Sequence, residues 1–185
     1  MRIVAGSRGG RRLKAPPGLS VRPTPDKVRE ALFAILGERV RGARFLDLFA
    51  GTGAIGLEAL SRGAVAVIFV EGSASVARLL KTNITSLDFE HETKILVGRL
   101  PGALGRVGST DETFDLVFAD PPYEHGHLDL LLSHPALVAL VAPDGSLIVE
   151  HRYSETIAIG RWTLDQTRRY GDTALSFLSH PHREA

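Results

Sequence analysis

The sequence contains no cysteine. That excludes disulfide staples and thiolate metal sites, and it fits a reducing, cytoplasmic setting. Aromatic residues are sparse, at 6%, with one Trp and three Tyr. No stretch offers eighteen consecutive apolar residues, so no membrane-spanning helix is expected. The opening Met1-Arg2-Ile3-Val4-Ala5-Gly6-Ser7-Arg8 lacks the apolar run of a secretory signal. Internal repeats and low-complexity segments are also missing. Net charge is small, +1 over 185 residues. What remains is an ordinary globular composition, 44% hydrophobic and 23% charged, in a chain long enough for one domain with a sizeable core.

The near-neutral total conceals an asymmetry. Residues 1–30 carry eight basic side chains (Arg2, Arg8, Arg11, Arg12, Lys14, Arg22, Lys27 and Arg29) against Asp26 and Glu30, so this segment is +6 and the remainder −5. A basic segment on a mildly acidic body suits a polyanionic partner, because Lys and Arg neutralise phosphates and release counterions. Arg2, Arg8, Arg11, Arg12, Lys14 and Arg22 are the candidate nucleic-acid contacts. The alternative is a solvated basic terminus. Residues 1–20 are expected to form a small basic arm or β-hairpin, with turns at Gly6-Ser7-Arg8-Gly9-Gly10 and a break at Pro16-Pro17-Gly18. Residues 21–185 form the main domain.

That domain opens with a helix start, Thr24-Pro25-Asp26, followed by Val28, Ala31, Leu32 and Ile35 at helical spacing. Short apolar runs then alternate with helical segments. Strands are expected at 45–49, 65–70, 94–97, 115–119 and 146–149. Helices are expected at 55–61, 75–85 and 128–141, the last stopped by Pro143-Asp144-Gly145. Continuous apolar runs separated by helices indicate a mostly parallel sheet covered on both faces. The tail differs: runs at 162–170 and 174–178, joined by Gly171-Asp172-Thr173, leave no room for a helix and should pair antiparallel.

Asp47-Leu48-Phe49-Ala50-Gly51-Thr52-Gly53-Ala54-Ile55-Gly56 lies at the first strand-to-helix turn. Gly51, Gly53 and Gly56 spell GxGxxG, which lets a backbone approach a ligand and a helix pack closely on a sheet. Glu71 ends the next strand, where a carboxylate can accept hydrogen bonds from both ribose hydroxyls. Together they indicate a nucleoside cofactor. A dinucleotide would place its pyrophosphate on the helix N-terminus. S-adenosylmethionine would instead need a close backbone and an acceptor for its ammonium group, which Asp47 could supply.

Asp120-Pro121-Pro122-Tyr123 directly follows the fourth strand, at the strand end where open α/β sheets bind ligands. Two prolines fix the turn and remove two backbone donors. An aromatic amino group is a poor nucleophile because its lone pair is delocalised into the ring. Hydrogen bonds from its N–H groups to the Asp120 carboxylate and the Pro121 carbonyl would localise that pair. Tyr123 offers a ring on which an unstacked base can lie. With a good leaving group on the donor, positioning and electrostatics suffice without a metal.

The glycine loop together with the tetrapeptide resembles the amino-group methyltransferases of the Rossmann-like class I fold. Three further segments narrow this to the RsmD family of bacterial small-subunit rRNA guanine-N2 methyltransferases. They are Met1–Gly6 with Gly10-Arg11-Arg12-Leu13, Arg22–Glu30, and Tyr170-Gly171-Asp172-Thr173. The resemblance covers nearly the whole chain. It implies an α/β fold with a seven-stranded, mostly parallel sheet ending in an antiparallel C-terminal hairpin, plus the small basic N-terminal arm. It implies S-adenosylmethionine as cofactor and the 2-amino group of a guanine in 16S rRNA as acceptor, within an assembled or partly assembled 30S subunit. A cytoplasmic monomer without metal is expected. The cofactor site would comprise Asp47, Phe49, Ala50, Gly51, Thr52, Gly53, Glu71, Gly98, Arg99 and Leu100, with Thr24 nearby. Asp120, Pro121, Pro122 and Tyr123 would be catalytic.

One departure stands out: relatives of the wider fold place Asp or Asn near the adenine, where this chain has Val97-Gly98-Arg99-Leu100. Arg99 cannot accept from an adenine amino group, so a backbone carbonyl or another acceptor must. A DNA adenine or cytosine amino-methyltransferase shares the tetrapeptide and is the alternative. An NAD-dependent dehydrogenase would explain the glycines and Glu71 but leave the tetrapeptide idle. His125 and His127 lack a clear third ligand and are read as surface groups or substrate contacts. Trp162 is read as hairpin packing, and Glu150-His151 is given no role.

Overall fold

The central strands of the sheet are apolar because both of their faces are covered. The computed structural model describes residues 1–15, 26–108, 112–122 and 126–180. Strands β1 (Arg44–Leu48), β2 (Ala66–Glu71), β3 (Thr93–Val97), β4 (Phe114–Ala119) and β5 (Val141–Arg152) run parallel, and β6 (Thr163–Tyr170) and β7 (Thr173–Ser179) form the antiparallel hairpin. The sheet order is β3-β2-β1-β4-β5-β7-β6. Alternation along each strand divides the core. Phe45, Leu116, Phe118 and Ile148 face one layer, with α1 (Asp26–Leu36), α2 (Ala54–Ser61) and α3 (Ala74–Ser86). Leu46, Leu48, Val117, Leu147 and Val149 face the other, with α4 (Leu104–Val107), α5 (His127–Leu132) and α6 (Pro135–Leu140). This is the expected α/β architecture, with seven strands and a C-terminal hairpin.

Three local expectations need correction. The helix expected at 128–141 is two helices, because Pro135 cannot donate in mid-helix and instead starts a new one. His134 caps that start, with its Nδ1 accepting from Ala136 N at 3.3 Å. Pro143-Asp144-Gly145 does not precede β5. Pairing passes from Phe114↔Val141 to Leu116↔Ser146, so residues 142–145 form an irregularity within the strand. The four-residue α4 has too few apolar positions to show a period and was not expected. The capping residues Thr24 and Pro25 lie outside the described residues.

The first fifteen residues are packed onto the domain. An isolated Arg2↔Arg12 bridge, with Ile3 N donating to Arg11 O and Gly10 N to Ile3 O, folds them into a hairpin. Ile3 and Leu13 are buried in the core. Glu58 of α2, fully buried, accepts from Val4 N at 2.7 Å, Ala5 N at 3.0 Å and Arg62 Nε at 2.8 Å. Gly6 lies so close to α2 that a Cβ there would fall 1.8 Å from the Ser61 carbonyl oxygen, and its φ is +85°. Only glycine fits such a backbone contact.

Candidate active site

Strand register assembles the site. Leu48 pairs with Val70 on one side and Ala119 on the other, and Glu71 pairs with Val97. Phe49, Asp120 and Gly98 therefore leave the sheet at nearly the same level as Glu71. Between β1 and β4 the chain reverses its direction of travel across the sheet, and such switch points leave a crevice at the strand ends. A cleft of about 610 Å³ opens there, lined by Phe49, Gly51, Glu71, Arg99, Leu100 and the turn Asp120-Pro121-Pro122, among others.

The glycine loop is braced from behind. Phe49 has a φ of 63°, an uncommon conformation for a bulky residue, and starts the turn. Gly53, with φ 83°, is the N-cap of α2 and has no side chain with which to cap. Asp47 takes over that role from β1: its carboxylate accepts from Gly56 N at 3.0 Å. Gly56 must lack a side chain, because a Cβ would sit 2.3 Å from the Phe69 ring. The result is the close helix–sheet contact that the third glycine of the motif provides.

Burial pushes the Asp47 carboxyl up to about 7; the Gly56 hydrogen bond opposes that shift and the nearby Glu71 charge adds to it. A carboxyl raised in the folded state favours folding while protonated, so this contribution fades as pH climbs from about 4 to about 7. At 1.36 kcal/mol per pH unit it is worth roughly 4 kcal/mol. Asp47→Asn keeps an acceptor for Gly56 and cannot ionise. Its stability relative to wild type, from urea unfolding at a series of pH values, should rise through that window and level off above it. A pH-independent difference would show that Asp47 does not titrate there.

Glu71 bridges two segments. One carboxylate oxygen accepts from Gly51 N at 2.8 Å and the other from Ser73 N at 2.7 Å. Each oxygen retains acceptor capacity toward the cleft. On the far wall, Gly98 N donates to Glu71 O at 2.9 Å. Arg99 is exposed and passes its side-chain stem across Gly72. Asp120 is half-buried, Pro121 buried and Pro122 exposed.

The structure thus brings together Phe49, Gly51, Glu71, Gly98, Arg99, Leu100, Asp120, Pro121 and Pro122 on one cleft. Asp47, Ala50, Thr52 and Gly53 are absent from its wall. They hold the loop from beneath, where Thr52 O accepts from the buried Asn83 side chain at 3.0 Å. Asp47, expected to meet an ammonium group, has Gly56 N as its hydrogen-bond partner. Thr24 and Tyr123 lie outside the described residues, as do Arg22 and His125. Val70, Gly72, Val76 and His127 also line the cleft. His127 could have been weighted higher, because it follows the tetrapeptide so closely. Trp162 is buried and donates from Nε1 to Leu132 O, as packing requires. His151 is buried against Ser176 Oγ.

The basic arm is only partly available. Arg8 donates from Nε to Leu87 O at 2.7 Å, lies 5.2 Å from the Phe89 ring centroid and pairs with Asp88 at 3.8 Å. Arg11 donates to Ser86 O. Arg2, Arg12 and Lys14 have exposed side chains.

A model of the family described as "Conserved hypothetical protein 95" matches residues 1–179. The protein YlbH of Bacillus subtilis is 34% identical over 178 residues, spanning 95% of this chain and 97% of that protein. Ribosomal RNA small subunit methyltransferase D of Escherichia coli is 31% identical over 176 residues, spanning 94% and 87%. The solved structure of the yhhF protein of Escherichia coli matches with a TM-score of 0.82 and 31% identity over 99% of both chains. With the family model spanning nearly the whole chain, and this fold and cleft beneath it, the chain belongs to the Conserved hypothetical protein 95 family, the RsmD-like branch of the class I methyltransferases.

Proposed function

We propose that this chain methylates the exocyclic 2-amino group of a guanine in 16S rRNA, using S-adenosylmethionine, on a small subunit that is at least partly assembled. The observation that carries this reading is the placement of Asp120-Pro121-Pro122 on the same cleft as the glycine loop and Glu71. Membership in the family of ribosomal RNA small subunit methyltransferase D supports rRNA as the acceptor.

The residues present suit the cofactor. Glu71 offers acceptor capacity for a ribose diol, Gly51 allows close backbone approach, and Val70, Val76 and Leu100 give the cleft an apolar wall. When bound, S-adenosylmethionine supplies a methyl group on a positively charged sulfur, which leaves as a neutral thioether. The chain's own work is on the acceptor. The Asp120 carboxylate and the Pro121 carbonyl accept the two N–H bonds of the guanine amine and draw its lone pair toward nitrogen. Asp120 also stabilises the positive charge that grows on that nitrogen as the new N–C bond forms, and it is placed to receive the released proton. The prolines present carbonyls without competing donors.

The test is incubation with radiolabelled S-adenosylmethionine and small subunits lacking their native methylation, followed by mapping of the labelled nucleotide. Label on the 2-amino group of one 16S guanine is the expected result. Label on duplex DNA, and none on subunits or rRNA, would overturn it.

A further inference from the structure

We propose that the corner formed by Tyr153, Arg168 and Arg169 is a second nucleic-acid-binding surface, holding the RNA strand that flanks the target base. The inference rests on the proposed rRNA methylation and adds a surface to it.

Three observations lead here. The first is the fate of the arm. α2 and α3 each run from the cleft end of one strand back to the start of the next, so Ser61 and Leu87 lie toward the edge of the sheet opposite the cleft. Arg8 and Arg11 are tied to Leu87 O and Ser86 O at that edge. Each spends one donor there on the protein's own backbone, at the end of the sheet away from the cleft, although Arg11, like Arg2, Arg12 and Lys14, stays exposed.

The second is topology. β7 is antiparallel to β5 and β6 is antiparallel to β7, so β6 points the same way as the parallel strands. Its last residues, Arg168-Arg169-Tyr170, therefore emerge at the cleft end of the sheet. The register places Arg169 and His151 opposite the same residue, Ala174, with Tyr153 two residues beyond His151 on the same face. β6 lies three strand spacings from β4, or about 14 Å. A strand whose base enters the Asp120 turn can reach that far within a few nucleotides.

The third is chemistry. Tyr153 is 48% exposed, and the Arg169 guanidinium carbon stands 4.1 Å from the centroid of its ring. Arg169 Nε donates to Gly171 O at 2.8 Å and Arg168 Nε to Gln166 Oε1 at 3.0 Å. Both guanidiniums are thus oriented through Nε, and neither forms an ion pair among the described residues. Their outer nitrogens remain available for bidentate phosphate contacts. Arg169 stacks on Tyr153 on one face of β6, while Arg168, opposite Leu175, projects from the other, so the two cations flank the exposed edge of the sheet. A stacked ring with cations on either side of an edge suits single-stranded or looped RNA, where bases stack and phosphates need cations. Among the described residues the nearby acids are exposed Asp172 in the hairpin turn, half-buried Glu155 and buried Glu150, which shares Leu175 as register partner with Arg168.

The test compares the wild-type chain with Arg168→Gln/Arg169→Gln and with Tyr153→Ala, using deproteinised 16S rRNA and, separately, small subunits lacking native methylation. Removing two phosphate contacts should weaken rRNA binding about tenfold near physiological salt and lower the salt slope by about 1.4. Tyr153→Ala should weaken binding with little change in slope, whereas Tyr153→Phe should not. Cofactor affinity by calorimetry and the melting temperature should stay at wild-type values in all variants. Unchanged rRNA affinity and slope in a folded double variant would overturn the proposal. Weaker binding to subunits but not to naked rRNA would also overturn it, assigning the corner to a protein partner. Wild-type binding to rRNA without methyl transfer would instead count against the proposed function, and the binding comparison would still decide the corner.

Discussion

Replacing Asp120 with alanine is expected to reduce methyl transfer by roughly 10²–10⁴-fold while leaving cofactor affinity and stability near wild type. Asp120 leaves the sheet after β4 and is half-buried on the cleft, so truncation opens no core cavity. Its stability cost should stay within about 1 kcal/mol, as for other sites outside a packed core. The cofactor-side residues Gly51 and Glu71 come from β1 and β2, on the other side of the switch point. Their hydrogen bonds do not depend on Asp120. The effect should therefore fall on kcat with little change in cofactor Kd. Asp120→Asn separates charge from shape. It retains one carbonyl acceptor but cannot balance a growing positive charge or take a proton, so it should remain far closer to the alanine variant than to wild type. Single-turnover transfer to subunits, with calorimetry of cofactor binding alongside, decides the matter. Near-normal turnover by Asp120→Ala would remove the carboxylate from the chemistry. A parallel collapse of cofactor affinity would assign it to the cofactor instead.

Glu58→Ala should be the most damaging single change to the fold, costing about 3–5 kcal/mol. That corresponds to a fall in Tm of roughly 6–20 °C for a domain of this size. The carboxylate is fully buried and has four partners: Val4 N, Ala5 N, Arg62 Nε and, at 3.7 Å, Arg29 Nε. Arg29 is itself fully buried, its Nη2 bound to Arg2 O at 2.5 Å and Asp26 Oδ1 at 3.0 Å, with Nε and Nη1 lacking a hydrogen bond among the described residues. Removing Glu58 takes the buried partner from that cation, leaving it the half-exposed Asp26, and leaves two backbone N–H groups of the arm without an acceptor, a loss larger than the worth of the bonds themselves. The arm should then release, so limited proteolysis within the first fifteen residues should accelerate. If the under-compensated Arg29 carries most of the cost, Glu58→Leu combined with Arg29→Met should be more stable than Glu58→Leu alone. A double variant no better than the single would place the cost in the arm's backbone instead.

Much of the fold was legible from the residues. Parallel strands are buried on both faces, so Val67–Val70 and Leu116–Ala119 read as unbroken apolar runs, and Phe45–Leu48 as one interrupted by Asp47 alone. Gly51, Gly53 and Gly56 sit where their lack of a side chain has a local cause, and Pro121-Pro122 fix their turn by covalent geometry. The break at Pro135 was equally local and could have been anticipated.

The sequence by itself determined the α/β layering, the hairpin and the local shape of the two loops that line the cleft, because period, turn residues and proline geometry act over a few positions. Tertiary structure alone decided which charges are free to act. Glu58 and Arg29 look like solvated helix residues, and Arg8 looks like a phosphate contact. Their partners come from segments tens of residues away, 54 between Val4 and Glu58 and 79 between Arg8 and Leu87. Whether a charge is buried or exposed depends on what packs over it, and no local pattern carries that information. The same holds for Asp47: its place before a glycine loop is visible in sequence, but only the closed sheet and helix around it remove the water that kept its carboxyl acidic.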